Sequence, residues 1–389
     1  MDFEWDDTIE ALRRDVQAFL AEHLTTALED ELYATGVSHD DAFARALGER
    51  HWIAPEWPRD GHEQLGVAGV HVLTEELTRV DAPIYATSTS MMVARVIRAV
   101  GSDWLREEIL DPVVRGEVII ALGMTEPEAG SDVAAVATRA RPVDGGWVVD
   151  GQKMFTTNGH VSDYVFLLVR TDPDSTRHRG LTTFLVPLDA EGVEVQAVYT
   201  LSGERTNITF YSDVFVEDRW RISQVGEGWS SLMLALQDEH SAPFSPHLAR
   251  LLEETERWAA TPDPDRGGPG RPLDDERIRL RLVEAATDLE VAELLELRTT
   301  WMEVNGEVPV AEGPMSKLFS TEAVVRHAEA LTAAVGPDAL RSRGDETALA
   351  RGRIEHALRF SLGTTIYAGT SEIQRNIIAQ RRCGLPRSS

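Results

Sequence analysis

The chain has 389 residues, 42% of them hydrophobic, a formal net charge of −27 and a single cysteine, Cys383. That length allows roughly two or three domains, and the acidic balance excludes nucleic acid and anionic membrane as natural partners, because both polyanions need a basic footprint. One cysteine cannot build a disulfide framework or a Cys-based metal cluster within the chain, and it suits a reducing cytoplasm.

The N-terminus, MDFEWDDTIEALRRD, is acidic and has neither the basic start nor the apolar run of a secretory signal. No stretch approaches the ~20 apolar residues of a membrane span. The chain therefore reads as soluble and cytoplasmic. From Ile9 to about Gly116 the texture is helical: Ile9, Leu12, Val16, Phe19 and Leu20 share one face, and Val72, Leu73, Leu77 and Val80 repeat the pattern, as do Met92, Val96, Ile97 and Val100.

Between about Glu117 and Gln224 the runs GWVVDGQK, YVFLLVRT, LTTFLVPL, VEVQAVYT and DVFVEDRW read as strands separated by Gly, Asp and Pro. Asp144-Gly145-Gly146 and Asp150-Gly151 are turn signals. No GxGxxG follows a strand, which argues against a nicotinamide-type Rossmann domain. Helices resume after Gly226-Glu227-Gly228: one from Trp229 to about Ala260, interrupted near Pro243 and Pro246, then Ile278–Glu303, Met315–Val335 and Ala348 to about Arg359, with a last one after a Gly-Thr-Ser turn. Thr261 to Pro272, TPDPDRGGPGRP, is a loop.

Two loops in the β region carry chemistry. MTEPEAGSD (Met124–Asp132) and GQKMFTTNG (Gly151–Gly159) offer hydroxyls, backbone N–H groups and, in the second, Phe155 beside two threonines. A flat redox-active ring needs such a seat: an aromatic over one face, hydroxyl and backbone donors at its edge, and a Gly-Ser turn that approaches an anionic group with no Cβ in the way.

Together with GTSEIQR (Gly369–Arg375) these segments resemble the acyl-CoA dehydrogenase family of flavoenzymes, and the resemblance runs over most of the chain. It implies an α+β fold with an N-terminal helical domain (1–120), a central antiparallel β-barrel-like domain (121–228) and a C-terminal four-helix bundle (229–389). It implies FAD as cofactor, held by Leu122, Met124, Thr125, Ser131, Phe155, Thr157, Thr370 and Glu372. It also implies an acyl-CoA substrate bordered by Ser131, Arg205, His240 and Ala368, with Asn207 in the Arg205 loop. An electron-transfer flavoprotein is the implied electron acceptor, and the chain is expected in a dimer or tetramer. Phe155 stands where many members have tryptophan. No metal site is expected, since the 11 histidines lack ligand spacing.

The family's reaction removes a Cα proton by a carboxylate base while a Cβ hydride passes to flavin N5. Short- and medium-chain members place that glutamate directly before the Gly-Thr, where this chain has Ala368. Isovaleryl- and long-chain-type members place it on the helix after the GxG turn, and the matching residue here is Glu239. The small Ala368 leaves room for it. Two family segments that reach across a dimer to the neighbour's FAD are lost: ERWAATPDPDRGGPG stands in place of the first and AAVGPDAL (Ala333–Leu340) in place of the second. A base-bearing subunit of a heteromeric enzyme, of the kind found among actinobacterial sterol-degrading relatives, is therefore one expectation. An acyl-carrier-protein-linked dehydrogenase, a flavin monooxygenase of the same fold and a degenerate scaffold subunit remain alternatives.

Overall fold

The computed structural model describes residues 4–175, 177–236, 243–262 and 270–386. They form two compact units, one built from Ala21–Gln64 and Pro83–Glu239, the other from Met1–Leu20, Leu65–Ala82 and His240–Ser389.

The first unit holds the sheet. Its strands are β1 (Ile120–Gly123), β2 (Arg139–Val143), β3 (Gly146–Lys153), β4 (Tyr164–Arg170), β5 (Leu181–Pro187), β6 (Val193–Tyr199) and β7 (Arg205–Glu217). They lie in the order β1-β4-β2-β3-β7-β6, with β5 on β4. The β2·β3, β3·β7, β4·β5 and β6·β7 pairs are antiparallel, as expected. The sheet is nevertheless mixed, because β4 runs parallel to both β1 and β2. The reason is connectivity: the β2–β3 hairpin and two long loops intervene between β1 and β4, so the chain can return in the same direction. Every residue of β4 from Val165 to Val169 is buried, which explains why YVFLLVR reads as a continuous apolar run and not as an alternation. Trp147, Val149, Leu167, Phe184, Val214 and Val216 form the core.

Around this sheet lie α2 (Thr26–Thr35), α3 (Asp41–Glu49), α5 (Tyr85–Val100), α6 (Asp103–Val114) and α7 (Gly228–Ala235). Thr25, Asp40 and Ser102 cap α2, α3 and α6 through their side-chain oxygens. Helix α5 is stitched to β1 by Ser90 Oγ, which accepts from Ile120 N at 2.8 Å, and by Thr89 Oγ1, which donates to Ile120 O at 3.2 Å. A Cβ on Gly228 would come within 2.6 Å of Thr182 N, so glycine alone lets α7 start this close to β5.

The second unit is helical: α1 (Asp7–His23), which runs on into the first unit, α4 (Val67–Arg79), α8 (Ser245–Ala260), α9 (Glu276–Val304), α10 (Glu312–Val335), α11 (Arg353–Thr364) and α12 (Ser371–Arg381). Leu251 and Leu252 of α8, Ile278, Leu282 and Ala285 of α9, Ala328, Leu331 and Val335 of α10 and Ile354 of α11 close one core. Helix α11 starts five residues later than its periodicity suggests, because Ala350 and Arg351 take left-handed conformations (φ 48° and 57°) that end any helix before Arg353. The segment from Trp229 is likewise broken: α7 stops at Ala235 and α8 begins at Ser245, with Pro246 in its first turn. Phe244 cannot cap α8 with its side chain, and Glu296 of α9 does so, accepting from Phe244 N and Ser245 N at 2.9 Å each and from Ser245 Oγ at 2.5 Å.

Candidate active site

In the first unit the two expected flavin loops are tied to each other. Leu122 lies on β1, with Met124 and Thr125 directly beyond it, and the second loop leaves the end of β3. Met154 N donates to Thr125 O at 2.8 Å. Beneath that bond Lys153 Nζ donates to Glu126 Oε1 at 2.8 Å and to Met124 O at 3.3 Å. Glu126 also accepts from Ala137 N at 2.6 Å and Thr138 N at 2.9 Å, and its own backbone closes the PEA turn against Ala129. Burial pulls the Lys153 ammonium down to about 8 against the opposing pull of Glu126. Burial pushes the Glu126 carboxyl up, but Lys153 and the Ala137 and Thr138 donors outweigh it and hold the group below its ordinary value. The two partners respond unequally because Lys153 is completely buried while Glu126 has extra backbone donors. At neutral pH the pair is ionised.

The groups expected to meet the cofactor are the accessible ones. Leu122, Met124, Thr125 and Thr157 are half-buried and Ser131 is exposed, whereas Gly123, Glu126, Lys153, Thr156 and Asn158 beside them are buried. Phe155 is 57% exposed, and its φ of 54° is one that a bulky residue adopts only where the surroundings impose it. Those surroundings are in place. Thr156 N donates to Asn207 O at 2.9 Å and Asn207 Nδ2 returns a bond to Thr156 O at 2.9 Å. Thr157 Oγ1 lies 3.1 Å from Thr206 Oγ1. An accessible aromatic forced outward beside hydroxyls and a buried frame is the arrangement that fits a flavin ring.

Asn207 itself is fully buried. Its Oδ1 accepts from Arg205 Nε at 3.2 Å and its Nδ2 also reaches His160 Nδ1 at 3.2 Å. It therefore braces the loop from behind, and Arg205, half-buried, hangs from it. Burial, with the Arg205 charge second, lowers His160 to about 4, so this ring is neutral.

The third motif belongs to the second unit. Ala368 and Gly369 are consecutive residues at positive φ (54° and 78°), and Thr370 then caps α12 by accepting from Ile373 N at 3.3 Å. Gln374 Nε2 donates to Ala368 O at 2.9 Å and Lys317 Nζ to Gly369 O at 2.8 Å. Among the described residues the Ala368 N–H meets no acceptor. Ser371 Oγ and Gln374 Oε1 are buried with no partner, polar capacity that a bound ligand could use. Glu372 is exposed, and its carboxyl is held below its ordinary value first by its own backbone N–H and then by the Thr370 hydroxyl. Glu239 and His240 lie outside the described residues.

Four residues of the frame were not singled out from the sequence. Lys153 and Glu126 stand inside the quoted motifs but look like surface charges there, and only the register of β3, which ends on a buried position, signals otherwise. Lys317 and Gln374 sit on helices α10 and α12 at core-facing positions, 2% and 0% exposed. A lysine in a row of buried residues is the signal that was available. Among the described residues no group of His, Cys, Asp or Glu could hold a metal, and no helix is long and apolar enough to cross a membrane.

Comparison with known proteins covers nearly the whole chain. Residues 6–117, 121–217 and 226–382 match the models of the N-terminal, middle and C-terminal domains of acyl-CoA dehydrogenase. The chain is 32% identical to acyl-CoA dehydrogenase FadE26 of Mycobacterium tuberculosis over 98% of both chains. Among solved structures, the ChsE4-ChsE5 complex from Mycobacterium tuberculosis superposes with a TM-score of 0.90 at 29% identity over 100% of both chains. The Tcur3481-Tcur3483 steroid ACAD does so with a TM-score of 0.90 at 27% identity, again over 100% of both chains.

Proposed function

The chain belongs to the acyl-CoA dehydrogenase family, and from that premise we propose that it α,β-dehydrogenates an acyl-CoA thioester with Glu239 as the base. It is an oxidoreductase acting on CH–CH groups, with FAD as cofactor. When bound, the flavin supplies a hydride acceptor at N5. Phe155 would cover its ring, Thr157, Thr125 and the Leu122–Met124 backbone would offer donors to it, and Thr370 and Glu372 would hold the rest of the cofactor. Ser131 faces the pantetheine side.

The observation that carries this reading is the residue at 368. A methyl group in a left-handed turn occupies the place where a carboxylate base would otherwise stand, and nearby Glu372 is exposed and spent on the start of α12. The proton acceptor must come from another element, and Glu239, following α7, is the family's alternative position. Removing the Cα proton leaves electron density on the thioester oxygen, which needs a fixed donor. The unspent N–H of Ala368 supplies one. His240 and Arg205 border the acyl group.

Several features favour a bulky thioester and a second kind of subunit. The segments that would complete a neighbour's FAD site are missing from this sequence, and both solved structures named above carry paired names, one of them a steroid enzyme. We therefore assign this chain the base-bearing role in a heteromer acting on a sterol-type acyl-CoA in the cytoplasm, with an electron-transfer flavoprotein as oxidant. A carrier-protein thioester is the second reading, favoured by 30% identity to an L-prolyl-[peptidyl-carrier protein] dehydrogenase of Serratia sp. over 73% of this chain. Anaerobic titration with straight, branched and sterol-type thioesters on either carrier tests both, by bleaching of the flavin. A Glu239→Gln protein that binds flavin normally and still bleaches at the original rate removes the base assignment.

A further inference from the structure

Helix α9 buries Ile278, Leu282, Ala285 and Ala292, yet four large apolar side chains lie on its other side. Leu280, Val283, Val291 and Leu294 are 54, 61, 38 and 41% exposed. Single exposed apolar residues need no explanation, but these four are ordered. Leu280 and Leu294 stand seven residues either side of Thr287, itself exposed, and Val283 and Val291 stand four either side. At about 100° per residue all of them fall within roughly 40° of Thr287, on one stripe. That stripe reads the same in both directions, Leu-Val-Thr-Val-Leu. Its ends differ in charge: Glu276 is eleven residues before Thr287 and Arg298 eleven after it, each about 20° off the same line.

A face with this pattern selects its partner. Two such helices laid antiparallel about a twofold axis at Thr287 set Leu280 on Leu294, Val283 on Val291 and Glu276 on Arg298, each pair made twice. Laid parallel, they oppose Glu276 to Glu276 and Arg298 to Arg298, which like-charge repulsion disfavours. A helix of different sequence has no reason to match the palindrome. Glu284 and Glu290, three residues either side of Thr287, lie about 60° off the line on opposite flanks. In the antiparallel pair each then sits beside a valine of the other copy and not against its like. The central hydroxyl is already spent, since Thr287 Oγ1 donates to Val283 O at 2.8 Å, so the contact strands no polar group there. Arg298 lies 3.5 Å from Glu312 of its own chain and would share its charge with the incoming Glu276.

We infer that the outward face of α9 is an interface with a second copy of this chain, the two α9 helices lying antiparallel across a twofold axis at Thr287. The contact is independent of the chemistry assigned above; in the proposed heteromer it would join two base-bearing chains. One helix face is smaller than the roughly 800 Å² per partner of a standard interface, so association through it alone is weak and concentration-dependent.

Position-specific cross-linking of the full chain is the test. A Cys383→Ser background removes the native exposed thiol. In it, Leu280→Cys and Leu294→Cys combined are expected to give a disulfide-linked dimer of the 43.0 kDa chain under mild oxidation, because helices packed about 8–10 Å apart bring facing Cα atoms within disulfide reach. Neither leucine variant alone should link, whereas Thr287→Cys, which faces itself, should. Sedimentation over a concentration series supplies a second readout: Val283→Asp, at an exposed position, should fold as the parent does and weaken self-association by about tenfold or more. Linkage of either single leucine variant overturns the antiparallel arrangement. A chain that stays monomeric and unlinked in the double and Thr287→Cys variants overturns the inference altogether, and is the result expected if a different subunit covers α9. A folded Val283→Asp protein that associates as well as the parent overturns it too.

Discussion

Lys153 Nζ and Glu126 Oε1 meet at 2.8 Å with side chains 0% and 7% exposed, and that contact, beside the bond from Met154 N to Thr125 O, joins the two loops proposed to seat the flavin. Removing the lysine strands a carboxylate in a site that excludes water. Loss of one partner of a buried pair costs roughly 3–5 kcal/mol. Lys153→Met is therefore expected to lower the unfolding free energy by about that amount and to release flavin, measured by denaturant unfolding and by cofactor content after gel filtration. Adding Glu126→Gln to it should recover part of the stability, because the stranded charge is removed and one of the Ala137 and Thr138 N–H groups keeps an acceptor. A single variant as stable as the parent would show that the loops do not depend on this pair.

A second expectation concerns pH. Burial raises the Glu296 carboxyl to about 7, against the hydrogen bonds from Ser245 and Phe244 that pull it down. Its ordinary value is 4.5, so between these two values the folded protein holds a proton that the unfolded chain has released. Stability from this group is then complete below about 4.5 and is lost as pH rises through about 7, a change on the order of 3 kcal/mol. Glu296→Gln keeps acceptors for the start of α8 and cannot ionise. The variant should gain on the parent as pH is raised from 5 to 8, and melting curves at the two pH values check it. A constant difference between the two proteins would mean that Glu296 does not titrate in this range.

His71 pulls the other way. Desolvation of this half-buried ring, with the Arg13 charge second, lowers it to about 4 from its ordinary 6.5, so the unfolded chain binds its proton first. Its contribution is present above about 6.5 and disappears as pH falls through about 4. Thr300 Oγ1 lies 3.1 Å from His71 Nδ1, so His71→Gln preserves a partner for the hydroxyl. That variant should be less acid-sensitive than the parent between pH 6.5 and 4, read from unfolding midpoints along an acid series.

The sequence made the secondary structure of the sheet legible because β3 to β6 carry their own alternation or apolar runs and are bounded by turn residues. The three motifs marked the proposed flavin seat for a similar reason: Phe155, Thr157 and Met124 are chemical types that a flavin needs, and all three keep accessible surface. What stayed hidden was support. Lys153, Glu126, Lys317 and Gln374 are polar residues whose role depends on burial, and burial is set by elements distant in sequence. The parallel β1·β4 register was hidden for the same cause, since nothing local to Ile120–Gly123 specifies Tyr164–Leu167 as its neighbour.

Ala368 offers a test of strain. Glycine adopts its φ of 54° without steric cost, so Ala368→Gly should leave thermal stability within about 1 kcal/mol of the parent. On the proposed mechanism the same change slackens the turn that presents the 368 N–H, and turnover should fall while flavin content does not. Ala368→Val, β-branched at positive φ, should lose both stability and turnover. Equal activity in all three would show that the conformation at 368 has no part in the chemistry.

The exposed ring of Phe155 separates binding from folding. At 57% exposure it contributes little to the core, so Phe155→Ala should leave the unfolding midpoint of the flavin-free protein nearly unchanged, as surface substitutions usually alter stability by no more than about 0.5 kcal/mol. Flavin affinity should drop instead. Stacked aromatic pairs contribute about 0.5–1.5 kcal/mol beyond area burial, which corresponds to a Kd about two- to tenfold weaker, measured by quenching of flavin fluorescence. Phe155→Trp should keep the affinity, since the requirement is a flat apolar face. If the alanine variant binds flavin as tightly as the parent, the ring does not stack on the cofactor and the second loop must serve another purpose.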